Sequence, residues 1–351
     1  MIIFFIALIL IVVWKARFGS FHEDYMGKSQ TCALKGLFAV IIVFSHLRGY
    51  ISLPSNIYND AFSYTINFIG QLMVALFFFY SGFGIMKSYE KNNDYQKGFI
   101  KKRVVKVLVE FDVAVLLYLI LSLIIGSYYD WSNYVFCWIG WKSIGNSNWF
   151  VFVILLLYVI TYLSFFVIKR VKDIKKPLYL AIITTILSFS AIIVLRFVAE
   201  GSWWYDTILC YAFGMWFALI KENFDAFIKR GKKEHWGTIA VVTVLFVALY
   251  FIAGRINPFA ITYNMCACAF CLLITVLTTK VKLDNVILKW LGIHSFAIYV
   301  LQRIPMIVLH KVGIANPYVF SIIAIIITMI MAYAFVKIFA ITRKKINVET
   351  K

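Results

Sequence analysis

Charge is scarce in this sequence. Only 15% of its 351 residues are Asp, Glu, Lys or Arg, against roughly 25% in a soluble domain. Hydrophobic residues make up 63% and the mean hydropathy is +0.87, more than a soluble core could absorb, which excludes a soluble globular protein. Acids are scarcer still, 16 against 35 lysines and arginines, for a net charge of +19. That excess would suit nucleic acid, but the basic residues fall in short clusters between apolar segments, so no continuous basic surface exists. Long polar stretches, internal repeats and low-complexity tracts are also missing, which leaves no room for a soluble domain. The six cysteines lack histidine or acidic companions. The spacing Cys266-x-Cys268-x-x-Cys271 therefore reads as small packing residues in a helix, and no metal is expected. Met1 to Trp14 has neither a basic n-region nor a small-residue cleavage site, so it reads as a retained span.

What is present is a series of apolar segments long enough to cross about 30 Å of hydrocarbon. They fall near residues 1–15, 31–52, 66–86, 104–126, 149–168, 178–198, 204–220, 237–253, 259–279, 289–310 and 318–341. The expected fold is all-α, a polytopic transmembrane bundle of about eleven spans. Alternate loops hold the basic clusters, from Lys15/Arg17/Lys28 through Lys87–Lys106, Lys169–Lys176 (with Arg170 and Lys172), Lys221–Lys233 and Lys280–Lys289 to a tail from Arg343. Together these carry 27 basic residues, and the intervening loops carry one each: Arg48, Lys142, Arg196, Arg255 and Lys311. By the positive-inside rule the N-terminus is expected outside and the C-terminus in the cytoplasm. The longest connection, about 127–148, would lie along the outer interface through Trp131, Trp138 and Trp141.

Inside this apolar background a few ionisable residues stand out, and intramembrane ionisable groups are candidates for function by default. His46 and Lys35 lie eleven residues apart in one run, on nearly the same helix face and roughly 16 Å apart along the axis. A dehydrated neutral imidazole is a competent base, although a histidine bonded to a neighbouring helix fits equally well. Ser81-Gly82 offers close helix packing, with Ser81 a candidate ligand contact. Arg103 and Lys106 share a face at the head of the fourth span, suited to a polyphosphate or simply to positive-inside anchoring. Glu110 is placed to neutralise Lys106. Asn148-Trp149-Phe150 opens the next span as an interfacial anchor. Tyr299 and Arg303 share one face near the end, where Arg303 needs an acid or an anionic substrate, and Pro305 is expected to kink the helix.

Read together, these segments resemble the acyltransferase 3 family of integral membrane acyltransferases. The family pattern of an Arg-Gly pair followed by a histidine matches Lys35-Gly36 and His46, with Lys in place of Arg. Phe77 to Phe83 matches its Phe-Phe-x-x-Ser-Gly-Phe stretch, and Arg103-x-x-Lys106 its Arg-x-x-Arg, again with one Lys. Trp149-Phe150 and Ser295-x-x-x-Tyr299 match later motifs, whereas Gln302 stands where family members often carry a histidine. The resemblance implies a ten-helix core over residues 30–341, preceded by an extra helix and loop over 1–29 and followed by a basic tail, 342–351.

It further implies a donor, acyl-CoA and most often acetyl-CoA, bound from the cytoplasm by Lys35, Arg103 and Lys106. The acceptor would be a hydroxyl of an extracytoplasmic or lipid-linked carbohydrate of a bacterial cell envelope. His46 would be general base or acyl carrier, and Ser81, Glu110, Trp149, Tyr299 and Arg303 would line the substrate pocket. The acceptor would enter on the outer side, near Asp60, Asp130, Glu200 and Asp206. A multi-pass transporter or flippase using the intramembrane His and Arg, or a non-catalytic membrane sensor, are the alternatives.

Overall fold

The computed structural model describes residues 1–92, 94–169 and 175–349, apart from the side chains of Phe259 and of residues 344–349. Arg170 and Lys172 of the basic clusters, and Lys351 of the tail, lie outside the described residues. The described residues form fourteen α-helices: α1 Ile2–Val13, α2 Lys28–Leu47, α3 Ile57–Lys91, α4 Lys106–Ile125, α5 Trp131–Phe136, α6 Trp149–Lys169 and α7 Lys176–Val198, then α8 Leu209–Ile228, α9 Lys232–Ala253, α10 Ile261–Thr278, α11 Val286–Ile293, α12 Ser295–Leu301, α13 Arg303–Val312 and α14 Pro317–Glu349. Among the described residues the only strands are β1 (Ala16–Phe18) and β2 (Val281–Leu283), paired antiparallel. The protein is an all-α polytopic membrane bundle.

Eight of these helices are long and apolar enough to cross a membrane, and a bent pair, α11 with the helix Ser295–Val312, has the length and composition of a ninth span or of a re-entrant loop. The other two expected spans exist as helices of a different kind. Helix α1 has only 12 residues, and α8 carries Lys221, Glu222 and Asp225 in its last two turns. Even so, α1 reaches between the two ends of the bundle. The Met1 ammonium donates to Asn59 Oδ1 (2.8 Å) at the head of α3, and Asn285 Nδ2 donates to Trp14 O (3.2 Å) beside β2.

One end of the bundle is basic and laced together by ion pairs. Arg17 and Lys289 both reach Asp284, Lys229 reaches Glu23 (2.7 Å), and Lys221 reaches Asp225, which also accepts from Tyr25 Oη. The Gln30 amide clamps α2 to β2 by accepting from Leu283 N (2.8 Å) and donating to Leu283 O (3.3 Å).

Two glycine contacts fix the helices that carry the candidate residues. A Cβ at Gly36 would sit 2.1 Å from Leu288 O, and one at Gly292 would sit 1.8 Å from Cys32 O, so α2 and α11 touch backbone to backbone. Gly82 and Gly214 do the same for α3 and α8, at 1.9 Å from Tyr211 O and 2.1 Å from Phe79 O. Close approach through small residues is how membrane helices gain packing without a hydrophobic drive between them.

The bent pair departs from the sequence expectation. Its 59° break falls at His294, between α11 and α12, eleven residues before Pro305. At His294 the backbone leaves helical geometry (φ −94°, ψ 2°) and the ring stacks on Trp290 at 4.1 Å. Pro305 acts locally instead. It cannot donate to the carbonyl four residues earlier, Leu301, and the helix is interrupted at Gln302.

Candidate active site

A cavity of about 1000 Å³ opens at the basic end between α2, α3, the head of α4, α6 and α12. Its lining changes character with depth. Lys28, Lys87, Lys91, Lys102, Arg103 and Lys106 ring the shallow end, and Lys35 stands about two turns inside on α2. The deep end is apolar, walled by Ala39, Ile42, Val74, Phe77, Phe150 and Ile154, and Tyr299 closes it. From Lys28 to Ile42 the wall runs about 21 Å along α2.

Charge in this cavity is heavily one-sided: seven cations face two carboxylates, and both acids are engaged. Glu90 pairs with Lys87 (2.8 Å), and Glu110 pairs with Arg343 of α14. The expected Glu110–Lys106 neutralisation is not what forms, because α14 brings a guanidinium to Glu110, and Lys106 stays free to face the cavity. Among the described residues Lys28, Lys35, Lys91, Lys102, Arg103 and Lys106 have no ion-pair partner. Arg103 is instead held by Tyr95, whose Oη accepts from Nε (3.2 Å) and Nη2 (3.0 Å). Lys102 and Arg103 stand on a π-helical turn, Ile100–Val105, that leads into α4. Such wide turns cluster at functional sites because they re-aim side chains.

Adjacent residues divide the labour of packing and lining. Lys35 faces the cavity, with its ammonium 6.0 Å from the Tyr80 ring, while Gly36 meets α11. Ser81 faces the cavity and hydrogen-bonds Tyr158 Oη at 3.0 Å, while Gly82 meets α8. A one-residue step turns a helix by about 100°, enough to send neighbours to different partners.

His46 lies one helical turn beyond the deep end of the cavity, at the far terminus of α2, and is partly exposed. It does not line the basic cavity. Its ring centroid is 6.3 Å from that of Tyr299, Gln302 faces it, and its Nδ1 is 3.5 Å from Ser147 Oγ. Tyr299 therefore stands between cavity and histidine, edge-on against Phe150 (5.3 Å). Trp149 does not line the cavity; Phe150 does, and Trp149 packs edge-on against it. Arg303 is likewise separate from the basic cavity. Its guanidinium lies 5.7 Å from the Tyr50 ring and donates to Asn146 O at 3.5 Å.

Ser147 and Asn146 belong to a segment that sequence reading placed along the outer interface. Trp131 does lie exposed, but Cys137, Ile144, Asn146 and Ser147 are buried. The chain folds back here on its own polar groups. Ser143 Oγ donates to Asn146 O (2.8 Å), Asn146 Oδ1 accepts from Ile144 N (3.0 Å), and Gly145 takes φ +96°, where any Cβ would press on Ile307 and Tyr129 Oη. The run Ser143-Ile-Gly-Asn-Ser-Asn148, small and polar between tryptophans, was the available signal. The outer carboxylates do not gather at His46: Asp60 accepts from Ser55, Glu200 pairs with Lys142 (2.8 Å) and Asp206 is buried elsewhere.

The site is thus a basic-mouthed, apolar-ended cavity in a polytopic membrane bundle, with a partly exposed histidine one turn beyond its deep end. The family model described as an acyltransferase domain, acyltransferase 3, matches residues 33–337, so the chain belongs to that family and is a multi-pass membrane acyltransferase. No curated protein and no solved structure matches it. Among the described residues there is no cluster of three or more His, Cys, Asp or Glu side chains that could hold a metal ion.

Proposed function

We propose that the protein moves an acyl group, most often acetyl, from acyl-CoA to a hydroxyl of an extracytoplasmic or lipid-linked carbohydrate of the cell envelope. The observation that carries this reading is the gradient of the basic cavity. Six unpaired cations stand at and below its mouth, an apolar throat follows, and His46 lies just past the Tyr299 end. A donor with phosphates at one end and a thioester at the other matches that order. Lys and Arg at the mouth would hold the phosphates, with Lys35 reaching further in.

The chemistry then follows from the positions. His46 takes the proton of the acceptor hydroxyl as its oxygen bonds to the thioester carbonyl carbon. The C–S bond breaks, and coenzyme A leaves as the thiolate, to be protonated in turn. In the carrier variant, His46 first receives the acyl group and then gives it to the hydroxyl. The same reading puts the basic end in the cytoplasm and the N-terminus outside, supported by the gathering of Lys and Arg at one end.

Purified protein in vesicles, given acetyl-CoA labelled in the acetyl group, should release free thiol and pass label to envelope glycan. Intact acetyl-CoA after incubation, with a competent acceptor present, would remove the enzyme reading in favour of transport or sensing.

A further inference from the structure

Apart from the donor cavity, a second cavity of about 200 Å³ is walled by Tyr50, Tyr118, Tyr129 and the fold-back at Gly145. The histidine does not line it, but consecutive residues of the fold-back link the cavity wall to His46. Gly145 lines it, Asn146 O accepts from Arg303, and Ser147 reaches His46. Tyr50 belongs to both neighbourhoods, as cavity wall and as the ring facing the Arg303 guanidinium at 5.7 Å.

This neighbourhood concentrates unmet hydrogen-bonding capacity. Eleven buried side-chain polar atoms among the described residues have no partner, and five gather around Arg303: Tyr118 Oη in the cavity wall, Tyr299 Oη at the end of the large cavity, Asn146 Nδ2, Gln302 Oε1 and Arg303 Nε itself. Native proteins leave few such atoms, and each asks for an explanation. Four of the five can donate, two of them only donate, and one sits on a guanidinium. No Asp or Glu lines the cavity, and among the described residues Arg303 has no ion-pair partner. A site rich in donors and short of acids is built for a ligand rich in acceptors and negative charge. The volume is below that of pockets for drug-sized ligands, and tyrosines present apolar faces with polar edges, which suits one sugar ring.

We infer that this tyrosine-walled cavity is the acceptor subsite and that Arg303 selects acceptors bearing an anionic group, a carboxylate or a phosphate ester, on the sugar that presents the hydroxyl. The assignment of the cavity to the acceptor rests on the reading of His46 as the reacting group. Arg303 offers a carboxylate or phosphate its fork of parallel donors, which the single long bond to Asn146 leaves largely unused.

Equilibrium binding of methyl glucoside, methyl glucuronide and methyl glucoside 6-phosphate to purified protein tests this. The wild type should bind at least one charged glycoside about tenfold more tightly than the neutral one, as expected for a charge-assisted hydrogen bond. The two charged ligands distinguish carboxylate from phosphate. Arg303→Gln should erase the preference, and Arg303→Lys should keep part of it. Equal affinities for all three in the wild type, no binding of either charged glycoside, or a preference that survives Arg303→Gln each overturns the inference. Acetyl-CoA binding is measured separately. Its absence from the wild type would remove the donor reading and leave the charge preference of this cavity standing.

Discussion

At its basic end the bundle surrounds a large cavity with seven cations and leaves most of them unpaired. Away from that end three tyrosines wall a far smaller space, and the Arg303 guanidinium faces one of them. The first region is charged where it meets water and apolar where it is deep, so it sorts a ligand along its length. The second is polar where it is buried, which costs free energy unless a ligand supplies partners. Tyr299 marks the border: it closes one cavity and its ring lies beside His46 of the other neighbourhood. On the proposed function, the difference teaches how two ligands of unlike chemistry would be met from two sides of the histidine.

Removing the group at the border should have the largest effect. His46→Ala should lower acyl transfer at least ~100-fold, the loss expected for a general base, while acetyl-CoA affinity stays within about twofold because His46 does not line the donor cavity. Steady-state transfer and equilibrium donor binding, measured on the same preparation, separate the two. Full transfer by the variant would dissolve the border and with it the role given to His46.

A smaller effect should come from the donor side alone. Lys35→Ala and Arg103→Ala should each raise the KM for acetyl-CoA about tenfold, the scale of one charge-assisted hydrogen bond, with little change in the KM for acceptor. The shallow Arg103 contact should weaken further with salt more than the deeper Lys35 contact does, since screening acts on exposed charge. If either substitution raised the acceptor KM instead, the assignment of the two regions would be reversed.

The donor side was the legible half of the site. Lys35, Ser81, Arg103, Lys106, Glu110 and Tyr299 all line the large cavity, and each sits in a helix whose 3.6-residue period shows in sequence which neighbours share a face. The outer half was not legible. Its contacts come from the 143–147 fold-back, held by Asn and Ser hydrogen bonds to nearby backbone and by a left-handed glycine, and such geometry leaves no period to read. Arg303, one turn after Tyr299, does not line the large cavity, its guanidinium lying against the Tyr50 ring instead. The Glu110 partner was missed for a different reason. Arg343 lies 233 residues away, a pairing only the assembled bundle reveals.

The smallest effect contrasts the acids of the two ends by the sign of their pH dependence. Lys229 beside exposed Glu23 holds that carboxyl below its ordinary 4.5. Stability from Glu23 is therefore present above 4.5 and lost as pH falls through its lowered value. Asp206, in the connection between α7 and α8, behaves oppositely. Burial raises its carboxyl above the ordinary 3.8, with hydrogen bonds to Ser202 and Asn257 opposing the rise, and its Oδ1 has no partner. Below 3.8 the folded and unfolded chains both hold the proton. As pH rises through the window from 3.8 to the raised folded value, the unfolded chain releases it first, and stability falls. Asp206→Asn should therefore raise the thermal unfolding midpoint relative to wild type at pH 7 and not at pH 3.5. Glu23→Gln should lower it slightly at pH 7, an exposed pair being worth little. Unfolding midpoints of both variants at the two pH values, in one detergent and one salt, decide the matter. A shift of the same sign at both ends would mean that burial does not govern Asp206, and that the two ends differ in position but not in electrostatic design.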